Sequence, residues 1–271
     1  MLGTIELETL IGRREELRSL RSAIQKRASL LLWGPMDAGK TALVKASISE
    51  LPGAEQRKCV YWAGAATGRE LISYFVGQLY VKGDSYVRKK VHADGASDAS
   101  LYRWLNRQSS LRLRGILFTA STAGDYRFFV DHFPPPTHNM AHLMKEIMCR
   151  CETPVYLIAR GMSQQEVGYA WGLYWNESLR LQLGPLHEKH ARELLEFCIR
   201  DFGLNLLDLE DFRKEVLRLS GLLPGAISKM SRLATDSRYR FGDRIKIKLV
   251  HVDYLLQSNK STFNGAPPFL Q

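Results

Sequence analysis

Gly34-Pro35-Met36-Asp37-Ala38-Gly39-Lys40-Thr41 reads G-x-x-x-x-G-K-T and stands between two unlike stretches of sequence. An apolar run, Leu30 to Trp33, leads into it, and an uninterrupted helix-forming run from Thr41 to Glu50 leaves it. Strand, glycine loop and helix in that order are what a phosphate-binding loop requires; the pattern alone would fit a plain strand–turn–helix. Backbone N–H groups of such a loop, with the positive end of the following helix, can surround a phosphate. Lys40 brings a cation to the β- and γ-phosphates, and the Thr41 hydroxyl is a ligand for Mg²⁺. The stretch Gly34 to Ala42 is therefore expected to bind a nucleotide together with Mg²⁺.

Length and cysteine usage set the outer bounds. A chain of 271 residues can form one large α/β domain and a small satellite. Cys59, Cys149, Cys151 and Cys198 lack the spacing of metal ligands and read as buried or idle thiols. The first residues carry acids instead of a basic-then-apolar leader, and no apolar run reaches membrane-spanning length. A soluble, reducing, cytoplasmic setting without a membrane partner is the expectation.

The net charge of +10 is the compositional oddity. It suits nucleic acid or another acidic partner. The basic residues are spread along the chain and are densest at Arg103, Arg107, Arg112 and Arg114. If one long helix runs from Ser100 to about Ala123, bent at Gly115, then Arg103, Arg107 and Arg114 lie near one face. Such a stripe could hold a phosphate backbone without reading bases; a solvated or internally paired helix face explains it equally.

Helices and strands alternate through the first two-thirds of the chain. Leu17, Leu20 and Ile24 fall on one face of an opening helix. Strands are expected at Lys58 to Ala63, Tyr126 to Asp131 and Pro154 to Ala159, and helices at Gly68 to Tyr80 and His138 to Arg150. Gly83 to Ser97 reads as a polar connection. This alternation predicts an α/β fold, a three-layer αβα sandwich around a parallel sheet.

Two strand ends carry the remaining candidates. Phe128 to Asp131 is a buried-type strand closing on a carboxylate, which downstream of a phosphate loop suits a Mg²⁺ partner, although a strand-end Asp also caps turns. The next residue is His132, whose neutral imidazole can accept a proton. Val155 to Ala159 ends in Arg160, a guanidinium placed where ligands of open α/β sheets lie. It could pair with a γ-phosphate through two hydrogen bonds.

Beyond Pro185 the pattern becomes helical. His187 to Phe197, Leu209 to Leu219 and Pro224 to Leu233 read as helices, with Pro224 suited to a first helical position. The expected division is a sheet domain over 1–184, a small helical lid over 185–236, and a terminal strand and tail over 237–271. The terminal strand is read from the alternation of Ile245, Ile247 and Leu249.

Gly12-Arg13, the phosphate loop, Phe128 to Asp131, Arg160, Leu183 to Leu186 and Gly221 to Ile227 occur in the order seen in AAA+ P-loop ATPases. More narrowly, the chain resembles the signal-transduction ATPases with numerous domains and the archaeal-type and origin-recognition-like ATPases. The resemblance covers roughly Ile11 to Ala234. It implies ATP and Mg²⁺ as cofactors, Lys40 and Asp131 as catalytic groups, Thr41 and Asp131 on the metal, Arg160 as a sensor and Pro224 beside the nucleotide. Relatives carry a glutamate where His132 stands, so the resemblance implies slow hydrolysis. It leaves three roles open: a nucleotide-dependent switch, a DNA-associated ATPase of the replication-initiator or transposition-helper type, and a non-hydrolysing nucleotide-bound adaptor. An unidentified protein partner, DNA and nucleotide-dependent oligomers all fit it.

Overall fold

Four of the five strands of the main sheet are the apolar runs seen in the sequence: β1 (Leu30–Gly34), β2 (Cys59–Ala63), β3 (Arg127–Phe133) and β4 (Val155–Arg160). A three-residue strand, β5 (Arg180–Gln182), completes the order β2-β3-β4-β1-β5. The computed structural model describes residues 10–64, 67–133, 137–204 and 209–261. β2 and β3 pair in parallel from Cys59 opposite Arg127 to Ala63 opposite Asp131. β3 and β4 pair in parallel too, with a register shift between Val130 and Phe133. The architecture is α/β, a parallel sheet with helices against its faces.

Contacts divide the chain into two units. One holds Ser19–Trp33 and Ser47–Leu181; the other joins the segment through Arg18, Gly34–Ala46 and the chain from Gln182. In the first unit, neighbouring side chains on β3 point to opposite faces. Phe128 stacks on Phe75 of α4 (Gly68–Val81) with ring centroids 4.4 Å apart, and Phe129 stacks on Tyr156 of β4 at 4.5 Å. Each such pair adds about 0.5–1.5 kcal/mol to its area burial. Leu20 and Ile24 of α1 (Arg14–Gln25) are fully buried, and the Tyr156 hydroxyl donates to the Ala23 carbonyl. Helix starts follow from local chemistry: Thr67 and Glu70 form a reciprocal cap on α4, and Thr137 caps α8 (His138–Arg150).

The single long helix expected after Ser100 is two helices, α6 (Leu101–Arg107) and α7 (Ser110–Ala123). The break comes at Gln108 and Ser109, not at Gly115. Ser109 accepts from the Arg112 N–H as the cap of α7, while Arg69 donates to the Asn106 and Gln108 carbonyls. The expected arginine stripe is dispersed as well. Arg112 pairs with Asp94 and Arg114 with Glu146, leaving Arg103 and Arg107 exposed. The polar connection after Gly83 contains a helix, α5 (Ser85–Ala93), which buries only Val87 and Val91.

In the second unit, α11 (Glu188–Asp201), α12 (Glu210–Ser220), α13 (Pro224–Leu233) and α14 (Ile247–Ser261) share a core that includes Leu195, Phe212, Val216, Ile227, Met230 and Val250. The expected terminal strand is therefore a correction. Only a short hairpin, β6 (Arg240–Phe241) with β7 (Arg244–Ile245), precedes α14. Burial of Ile247, Val250 and Ser258 follows helical spacing, and Leu249, Val252 and Leu256 are exposed. Among the described residues no helix is long and apolar enough to cross a membrane. Cys59, Cys151 and Cys198 are buried free thiols and Cys149 is exposed.

Candidate functional site

The phosphate loop is shaped by what stands next to it. Gly34, at φ +150°, ends β1 where a Cβ would lie 2.0 Å from the Leu183 carbonyl oxygen. No other residue fits. Asp37 takes the left-handed conformation at φ +63° and Gly39 follows at φ +90°. α2 (Lys40–Ser49) begins at the lysine, so its first N–H groups open onto the loop. The Lys40 ammonium is buried and donates to the Gly34 and Pro35 carbonyls at 2.8 and 2.6 Å. Thr41 and Ala42 are half-buried in the first turn of α2.

Arg13, itself buried, donates to the Ala38 carbonyl at 3.2 Å and also to the Gly184 carbonyl. One guanidinium thus joins the loop to the chain leaving the sheet. On the other side stands the start of α13. Leu223, its N-cap, has no side-chain acceptor, and Pro224 brings no N–H. The Gly225 N–H finds its acceptor in the loop, the Asp37 carbonyl, at 2.8 Å. Here too the approach demands glycine, since a Cβ on Gly225 would meet Asp37 Cβ at 2.9 Å. Pro224 Cγ lies 3.4 Å from the position a Cβ on Gly39 would take.

The other candidates occupy the carboxyl ends of β3 and β4 in the sheet unit. Asp131 is buried; its Oδ2 accepts from the Tyr61 hydroxyl at 2.5 Å and its Oδ1 from the His132 N–H at 2.7 Å. Burial, then the Asp131 charge and its hydrogen bond, push the Tyr61 phenol far up, so it remains a donor. The hydrogen-bonded peptide sits in the register shift, with His132 at φ +54° and its imidazole exposed. An L-residue rarely adopts that conformation. Arg160 ends β4 half-buried, and among the described residues no hydrogen bond or ion pair holds its guanidinium.

The structure thus gathers Gly34 to Ala42 and Pro224 in one unit, and places Asp131, His132 and Arg160 on adjacent strands of the other. The Pro134–Pro136 connection after β3 lies outside the described residues. Sequence pattern does not reveal the roles of Tyr61, Lys229 or Tyr254, all of which touch candidate residues. Lys229 alone leaves a trace, standing four residues after Gly225 and so on its face of α13. Among the described residues no three His, Cys, Asp or Glu side chains gather as a metal cluster.

A covered parallel sheet, a glycine loop leading into a helix, and a helical segment after the sheet make up a fold shared with solved ATPase structures. The chain is similar to the Walker-type ATPase paby2304 of Pyrococcus abyssi, with TM-score 0.59 and 17% identity over 97% of this chain and 79% of that one. It is also similar to the Orc1 protein of Aeropyrum pernix in complex with DNA, with TM-score 0.60 and 18% identity over 96% of this chain and 69% of that one. No protein-family profile and no curated protein matches the sequence.

Proposed function

We propose that the chain binds Mg-ATP at Gly34 to Ala42 and acts as a nucleotide-dependent switch with slow hydrolysis. Lys40 would hold phosphate charge, Thr41 and Asp131 would hold Mg²⁺, and Arg160 would pair with the γ-phosphate. When bound, Mg-ATP supplies a γ-phosphoryl group whose cleavage by water changes the charge beside the loop. The observation that carries the switch is the hydrogen bond from the Gly225 N–H to the Asp37 carbonyl. A loop that caps the first turn of a lid helix passes its own shape on to that helix. Slow turnover is supported by the residue after Asp131, an exposed histidine with no carboxylate to polarise water.

Calorimetric titration of Mg-ATP tests the site. Lys40→Ala removes a charge-assisted contact and is expected to weaken binding by about 1.5–3 kcal/mol, roughly ten- to a hundredfold. Superimposable curves for the two proteins would sink the assignment.

A second reading, a DNA-associated ATPase, is favoured by a separate observation. Arg103 and Arg107 share a face of α6 and are exposed, with no hydrogen bond or ion pair among the described residues. The similar Orc1 structure holds DNA. Duplex DNA is expected to bind with roughly micromolar affinity at low salt, and reversing both arginines to glutamate should weaken it. No binding at low ionic strength, with or without ATP, would remove this reading and leave a protein partner.

A further inference from the structure

Asp37 puts a carboxylate inside the loop proposed to hold phosphate, where like charges repel. Its backbone carbonyl accepts from Gly225, its Oδ2 accepts from the Tyr254 hydroxyl at 2.9 Å, and its Oδ1 lies 2.8 Å from the Lys229 ammonium. The Asp37 side chain is 9% exposed, whereas Lys229 is 51% exposed. Burial, then the Asp37 charge and hydrogen bond, push the Tyr254 phenol up to about 12, so it stays a donor at neutral pH. α13 and α14 thus both end contacts on one loop residue.

Stability is a weak reason for this ion pair, because a half-exposed lysine on a carboxylate contributes little to folding. With Lys229 in place the carboxylate is matched by a cation; with the helix withdrawn, the segment proposed to bind phosphate carries an uncompensated negative charge. We propose that Lys229 is a positioning residue that acts through Asp37, cancelling its charge so that the loop holds ATP more tightly while α13 is engaged. The proposal rests on ATP binding at Gly34 to Ala42. It makes Asp37 and Lys229 a gate on affinity, separate from the Lys40 contact itself.

The test is ATP affinity of the full chain, measured by calorimetry at low and at physiological salt for the wild type, Lys229→Ala, Lys229→Arg, Asp37→Asn and the Asp37→Asn/Lys229→Ala double variant. Lys229→Ala should bind about five- to tenfold more weakly, with the larger loss at low salt. Lys229→Arg, which keeps the charge, should bind like the wild type. Asp37→Asn sets its own reference, and the double variant should bind within about twofold of it, because asparagine leaves no charge for Lys229 to cancel. Wild-type affinity in Lys229→Ala overturns the gate while leaving the ATP site standing. A double variant that loses as much against Asp37→Asn as Lys229→Ala loses against the wild type also overturns it, by assigning Lys229 a direct contact with nucleotide. A wild-type protein that binds no ATP removes the site and the gate together.

Discussion

Around the phosphate loop every neighbour is close, and at the carboxyl ends of β3 and β4 the side chains have room. Gly34 leaves no space before the Leu183 carbonyl and Gly225 none before Asp37, while Lys40, Arg13, Lys229 and Tyr254 all end on loop atoms. On the sheet side, Asp131 is buried and fixed, yet His132 faces outward from a bulge and Arg160 is half-buried without an ionic partner among the described residues. Close packing selects one conformation and resists change; exposed side chains on a bulge can be replaced and re-aimed. The difference teaches that this chain invests its packing in fixing the shape of its glycine loop. The groups that would act on water are held by fewer contacts. That contrast is in keeping with the proposal of a slowly hydrolysing switch.

The contrast is most exposed to failure at Gly34. Gly34→Ala places a methyl group against a backbone carbonyl at a strained φ, and should cost about 2–4 kcal/mol of stability and abolish ATP binding. Urea unfolding with a parallel nucleotide titration reads both. Unchanged curves in either would show that the loop yields after all, and the contrast between the regions would collapse.

A smaller effect is expected at His132. Its exposed imidazole makes His132→Ala nearly neutral, within about 0.5 kcal/mol. A β-branched His132→Val should cost about 1–2 kcal/mol, because φ there is positive. His132→Glu should raise ATP turnover if the attacking water is otherwise in place. Brisk wild-type turnover that survives His132→Ala would identify another water-activating group and blur the division between the two regions.

Much of this was legible because strong periodicity and burial agree. Leu17, Leu20 and Ile24 mark α1, and the apolar runs of β3 and β4 admit no other reading once buried on both faces. The terminal segment misleads for a definite reason. Ile245, Ile247 and Leu249 alternate over too few residues to distinguish a strand from a helix, and the burial of Val250 and Ser258 decides for the helix. The break before α7 escapes a reading centred on Gly115, because Ser109 ends the run by capping and Arg69 seals it from a distant helix. At the candidate site the loop is written in its own residues, but its neighbours are not. Nothing local to Asp37 announces Lys229 or Tyr254, which lie 192 and 217 residues away. The register shift that turns His132 outward is equally silent, since it arises from pairing with β4.

Those separations also order events in time. In a chain made from its N-terminus the phosphate loop is presented before Leu183, Gly225, Lys229 and Tyr254. β2, β3 and β4 pair within the middle of the chain and can associate before then, because contacts of shorter span close first. The glycine fit and the helix cap of the loop therefore stay unmade until Leu183 and α13 have followed. The shape of the loop is thus completed only after Leu183 and α13 exist, although its own residues precede them in the chain.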